Sequence, residues 1–308
     1  MRHINATADD EWPALPYQEW KDTYHTLHMW SQVVGKVALA RSPHVNHSWG
    51  VALHVTGRGL QTHALPHEPY AFTMELDFVD HQLVIDRADG HRRTLPFVSR
   101  SVADFYRDVM ATLAEMSLPV TIWSIPVEIP SPIPFEQDTI HHTYDPASVT
   151  RLWRILVQVE RVFTGARSRF IGKCSPVHFF WGSFDMAVSR FSGRPAPPRD
   201  GPAFMRESYS HEVISHGFWP GSAPVLEPAF YAYAVPEPEG FESAPGLPDG
   251  AYYHPDLREY ILPYDVVRAA ASPDAAIATF IDGTYSHGAT LAGWDRAALE
   301  RPGPEVRG

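Results

Sequence analysis

Ser175-Pro176-Val177-His178-Phe179-Phe180-Trp181-Gly182 repeats, one residue shorter, the earlier stretch Ser42-Pro43-His44-Val45-Asn46-His47-Ser48-Trp49-Gly50. Arg58 follows Trp49 at the distance at which Arg190 follows Trp181. Glu68-Pro69-Tyr70 is answered by Glu227-Pro228-Ala229-Phe230, and Leu95-Pro96-Phe97 by Leu262-Pro263-Tyr264. The matches keep one order along the chain, which predicts an internal duplication with units over residues 1–147 and 148–308 that pack as one body. A duplication makes a cleft between pseudo-symmetric halves the first place to look for function.

Outward from these stretches, hydrophobic periodicity supplies the elements. Trp20, Tyr24, Leu27, Trp30, Val33, Val34 and Val37 fall at helical spacing and predict an amphipathic helix over residues 17–39. Strands are expected over 49–60, 70–79, 82–86 and 94–98, with turns at Asp80-His81 and Ala88-Asp89-Gly90. Ser101 caps a helix carrying Val102, Phe105, Val109, Leu113 and Met116 on one face. Residues 120–129 read as one more strand, and a proline-punctuated connector follows. The second unit repeats the order: a helix over 148–169, strands over 177–191, 209–216, 230–235 and 260–262, then a helix from Pro273 to about Leu291. Residues 1–15 read as an extended lead-in, and the tail from Pro302 as frayed. The order predicts an α+β protein of duplicated helix–antiparallel strands–helix units, the helices packed on antiparallel sheet.

Composition narrows the function classes. With 44% hydrophobic residues in a 308-residue chain, a substantial core is expected. A formal charge of −11 without a Lys/Arg cluster argues against nucleic acid as a partner. The single cysteine, Cys174, excludes an internal disulfide and a multi-thiolate metal site. No apolar run follows Met1-Arg2-His3, and no stretch has the apolar length of a membrane helix. The expectation is a soluble cytoplasmic protein with no membrane partner and an oligomeric state that the sequence leaves open.

Two stretches carry the candidate chemistry. Residues 170–185 are aromatic and apolar, yet hold Lys173, Cys174, His178 and Asp185, with Arg190 just beyond. Buried unpaired, such groups cost several kcal/mol, so each needs a partner. His178 reads either as a ligand-facing imidazole or as a core histidine satisfied by a carbonyl. Tyr209-Ser210-His211-Glu212-Val213-Ile214-Ser215-His216 is the second stretch. Its histidines lie five residues apart, about 140° around a helix, so it is no zinc-protease helix. On a strand Glu212 and His216 share a face, roughly 13 Å apart. A metal site built across segments from His178, His211, Glu212 and His216 suits zinc, iron or manganese. Without a metal, His178 or His211 would move a proton while Asp185 or Glu212 fixed its tautomer. Arg58 and Arg190 read as anion binders or as partners of acidic neighbours such as Asp77 and Asp185.

The runs Trp12-Pro13-Ala14-Leu15-Pro16, Phe170-Ile171-Gly172-Lys173-Cys174-Ser175-Pro176-Val177-His178-Phe179-Phe180-Trp181-Gly182-Ser183-Phe184-Asp185 and Tyr209-Ser210-His211-Glu212 resemble those of a bacterial family whose members carry a domain of unknown function. The resemblance spans nearly the whole chain. It implies a single-chain soluble bacterial protein, and no activity or catalytic residue carries over. The resulting expectation is an enzyme acting on a small organic molecule, with His178, Asp185, Arg190 and His211 as catalytic residues. They would sit with Trp181, Glu212 and His216 in a pocket between the halves. The alternatives are a non-catalytic binder of a small, haem-like ligand and a structural protein with core histidines.

Overall fold

Helix α1 (Tyr17–Arg41) carries the expected apolar series, and Trp20, Tyr24, Leu27, Trp30, Val33, Val34 and Val37 are all buried. It is not the striped surface helix that its spacing predicts. Thr23, Thr26, His28, Ser31, Gln32 and Lys36 are buried as well, so α1 is enclosed on most of its circumference. Its hydroxyls make this tolerable: Thr26 donates to Asp22 O and Ser31 to His28 O, leaving neither hydroxyl proton unpaired. The computed structural model describes residues 11–301; most of the expected lead-in, and the tail from Pro302, lie outside them.

Seven helices and two antiparallel sheets, of five and six strands, make the described residues an α+β fold. The chain divides into two compact units. One comprises Leu15–Val157 and His178–Asp185; the other comprises Met1–Ala14, Gln158–Val177 and Met186–Gly308.

In the first unit, β1 (His54–Val55), β2 (Gly59–Gln61), β3 (Phe72–Asp77), β4 (Gln82–Arg87) and β5 (Arg92–Pro96) form a meander in chain order. Met74 pairs with Ile85 and Leu76 with Leu83, and all four are buried, as alternation on a half-buried sheet requires. Helix α2 (Val102–Glu115) starts where expected, Ser101 Oγ accepting from the Asp104 amide. Trp30 centres the core, 4.7 Å from Phe105, 5.4 Å from Phe97 and 5.5 Å from Tyr144 between ring centroids. Of two further expected strands, one is broken and one is absent. Residues 49–52 turn out of a 3-10 turn (Asn46–Ser48), Leu53 bridges Phe179, and the rest of the expected strand is broken into β1 and β2 on either side of Gly57-Arg58. Residues 120–129 join no ladder, because Pro126 has no amide to donate.

In the second unit, helix α3 (Pro146–Arg167) enters from the first unit. It is followed, past the short strand β6 (His178–Phe180) of the first unit, by β7 (Asp185–Pro195) and α4 (Ala203–Ser208). Next come β8 (His211–Trp219), β9 (Ala229–Val235), β10 (Tyr252–His254), β11 (Glu259–Pro263), α5 (Tyr264–Ala269), α6 (Pro273–Leu291) and α7 (Arg296–Leu299). The single strand expected over 177–191 is a hairpin, its turn placing Phe184 at φ 59°. Ser272 caps α6 through the Ala275 amide, with Pro273 in the first turn. Of the paired motifs that suggested duplication, one forms the 3-10 turn at Asn46–Ser48 and the other the strand β6. Their backbones differ, and duplication is not established by the fold.

Candidate functional site

Four expected site residues lie on the second unit's sheet, and their partners are already within that unit. Val188 pairs with His216 and Arg190 with Ile214 in the β7–β8 ladder, so Arg190 and His216 share a face. His216 is buried, and its Nε2–H donates 3.0 Å to Thr284 Oγ, whose own proton goes to Phe280 O. Burial holds its pKa well below the ordinary value, so it is a neutral core imidazole. Arg190 is 3% exposed; its Nη2 donates to Ala166 O at 3.0 Å and its guanidinium lies 4.4 Å from the centre of the Tyr285 ring. Glu212 accepts from Arg194 at 2.6 and 2.9 Å and from Ser192 Oγ at 2.9 Å. His211 shares a hydrogen bond with Ser210 Oγ at 3.1 Å. The strand separates Glu212 from His216, and each is engaged elsewhere. Arg58, in the first unit, likewise pairs with Asp77 at 2.8 Å.

His178, Trp181 and Asp185 belong to the first unit. His178 is buried on β6, 5.8 Å from the Phe180 ring and 6.5 Å from that of His54 between centroids. Trp181 Nε1 donates 2.9 Å to Val51 O, and its indole lies flat against Gly35 of α1. Trp181 is thus a packing residue, seated on the one position of α1 that lacks a side chain.

Asp185 closes a turn that α1 holds from beneath. His28 Nε2–H donates 2.9 Å to the carbonyl of Gly182, and Gln32 Nε2 reaches the same oxygen at 3.3 Å. Gln32 also clamps the backbone of Val127, its Oε1 accepting from the amide at 2.9 Å and its Nε2 donating to the carbonyl at 2.8 Å. One glutamine therefore ties residues 127–128 to the 181–185 turn. The consequence is that two carboxyl groups border one turn, near enough for the charge of Asp185 to act on Glu128. Glu128 is exposed overall, but its carboxyl end turns in against Gly182, where a Cβ would stand 2.5 Å from Oε1. Asp185 is buried and accepts a short hydrogen bond from Ser183 Oγ.

The electrostatics separate these groups. Desolvation first, and the Asp185 charge second, raise Glu128 from 4.5 to about 7. His28, enclosed on all sides, falls to about 4 and is neutral near pH 7. Glu128 at φ 58° and Phe184 at φ 59°, next to Asp185, both occupy the left-handed region. That conformation costs a non-glycine residue about 1 kcal/mol or more and clusters at functional sites.

Two expected outcomes follow from this arrangement. Gln32→Leu, which fills the space but leaves the Val127 amide and carbonyl without their partner, is expected to cost about 1–3 kcal/mol of stability in urea titration. A raised carboxyl binds its proton more tightly in the folded chain than in the unfolded one. Stability is therefore lost as pH rises from about 4.5 to about 7, and the loss is complete above that. Glu128→Gln keeps the neutral form at every pH. Its urea midpoint should match wild type near the bottom of that window and exceed it at about pH 8.

Among the expected residues, Asp185 alone belongs to this group; Glu128, His28 and Gln32 were not among them. Glu128 had a faint signal, as the sole ionisable side chain between residues 116 and 135. Among the described residues no three His, Cys, Asp or Glu side chains converge as a metal ion needs, and none of their helices is long and apolar enough to cross a membrane. No curated protein and no solved structure matches the chain. A family model does, over residues 12–301, and the kinship that the sequence motifs implied holds at that level: the chain belongs to a family of unknown function, DUF5996.

Proposed function

We propose that this chain is an enzyme acting on a small organic molecule by general acid–base catalysis, with Glu128 and Asp185 as its proton-transfer groups. The observation that supports it is the convergence of both carboxyls on the 181–185 turn, one carried by an exposed residue with its carboxyl end turned in and one on a buried residue. Near neutral pH about half of Glu128 holds a proton that it can give. Asp185, oriented by the Ser183 hydroxyl, takes a substrate proton or steadies positive charge. A carboxyl whose surroundings raise its proton affinity towards neutral pH is the usual choice for the acid role. His28 and Gln32 are positioning residues that act through the backbone of Gly182 and Val127. The reading places the protein in a bacterial cytoplasm, supported by its single cysteine, with a small molecule and not nucleic acid as its partner.

The test is a turnover screen: a bacterial metabolite extract incubated with wild type, Glu128→Gln and Asp185→Asn, and followed by mass spectrometry. The reading expects a metabolite consumed by wild type and spared by both variants. Consumption at the wild-type rate by both variants would refute it.

A further inference from the structure

Lys36 is 3% exposed on α1, one turn beyond Gln32. Among the described residues its ammonium meets aromatic faces: it lies 4.6 Å from the centre of the Trp123 ring and 6.0 Å from that of Phe135. Among the described residues no carboxylate offsets its burial, and desolvation is the cause that lowers its pKa, from 10.5 to about 8. A buried cation held by aromatic faces alone is only partly compensated, since cation–π attraction recovers about 1–2 kcal/mol. Trp123, the ring over the amine, is itself 66% exposed. Exposed side chains change rotamer on the picosecond-to-nanosecond scale, so rotation of one ring opens the amine to solvent.

We infer that Lys36 is a nucleophilic amine, separate from the carboxyl pair, that condenses with the carbonyl carbon of a small aldehyde. The neutral amine adds through its lone pair to form a carbinolamine. Loss of water then leaves a protonated imine, so that ammonium plus aldehyde gives iminium plus water with charge conserved. The exposed Trp123 face offers a planar or apolar aldehyde a surface to stack on. The inference does not rest on the acid–base reading, and either can fail without the other.

The chain provides its own controls, since its other lysines are Lys21, exposed on α1, and Lys173, half-buried over the Phe191 ring. Folded protein would be treated with propanal and cyanoborohydride at about pH 7.5, and each lysine's propyl adduct quantified by peptide mapping. Lys36 is expected to react at least about tenfold faster than Lys21, since burial favours its neutral, nucleophilic form, and the difference should vanish in denaturant. In Trp123→Ala, Lys36 should react at least as fast as in wild type. Lys36 reacting no faster than Lys21 in both proteins would overturn the inference and leave a packed amine.

Discussion

Glu128→Gln is expected to lower turnover by about 10²–10⁴-fold, the usual contribution of a positioned proton donor, while leaving the fold intact. Glutamine keeps the shape that packs against Gly182 and loses only the exchangeable acid. A loss of turnover with unfolding would implicate structure instead. The pH dependence of stability separates the two, because the folded variant should be the more stable protein above pH 7. Asp185→Asn should reduce turnover as well, and should also move Glu128 part of the way back towards its ordinary value. Desolvation, the larger cause of the shift, survives that substitution.

Gly35→Ala is expected to cost about 3 kcal/mol as an overpacked core position. The added methyl would overlap Cδ2, Cγ and Cε2 of Trp181. The indole has little room to retreat, since Trp181 is buried and its Nε1 is held by Val51 O at 2.9 Å. Trp181 opens the turn that ends at Asp185, so the same clash should disturb the carboxyl pair. A lower urea midpoint with an unchanged slope, followed by tryptophan fluorescence, is the expected result. A midpoint within experimental error of wild type would mean that the turn adapts freely.

The sequence was legible where local chemistry decides the structure. Ser101 announces its helix as a hydroxyl cap and Pro273 marks the start of another, and Asp80-His81 and Ala88-Asp89-Gly90 mark the meander's turns. Legibility failed where a tertiary partner decides. The apolar, aromatic run from Val177 to Phe191 hides a hairpin, because only the left-handed Phe184 reveals that the chain reverses. Residues 120–129 have the composition of a strand, yet they find a single glutamine side chain in place of a ladder. The histidines misled for a related reason. Spacing showed that His211, Glu212 and His216 could not share one ion by themselves, but not that Thr284, Arg194 and Ser192 already satisfy two of them. Asp185 was identifiable as a polar group within an aromatic stretch. Its partner was not, because Glu128 approaches it only through the clamp that Gln32 makes from α1.

The carboxyl pair is tested most directly by a ¹³C NMR titration of the Glu128 side chain in wild type and in Asp185→Asn. The account predicts a midpoint of about 7 in wild type and a lower one in the variant. Titration near 4.5 in both proteins would contradict it, since Glu128 would then be an ordinary surface carboxylate.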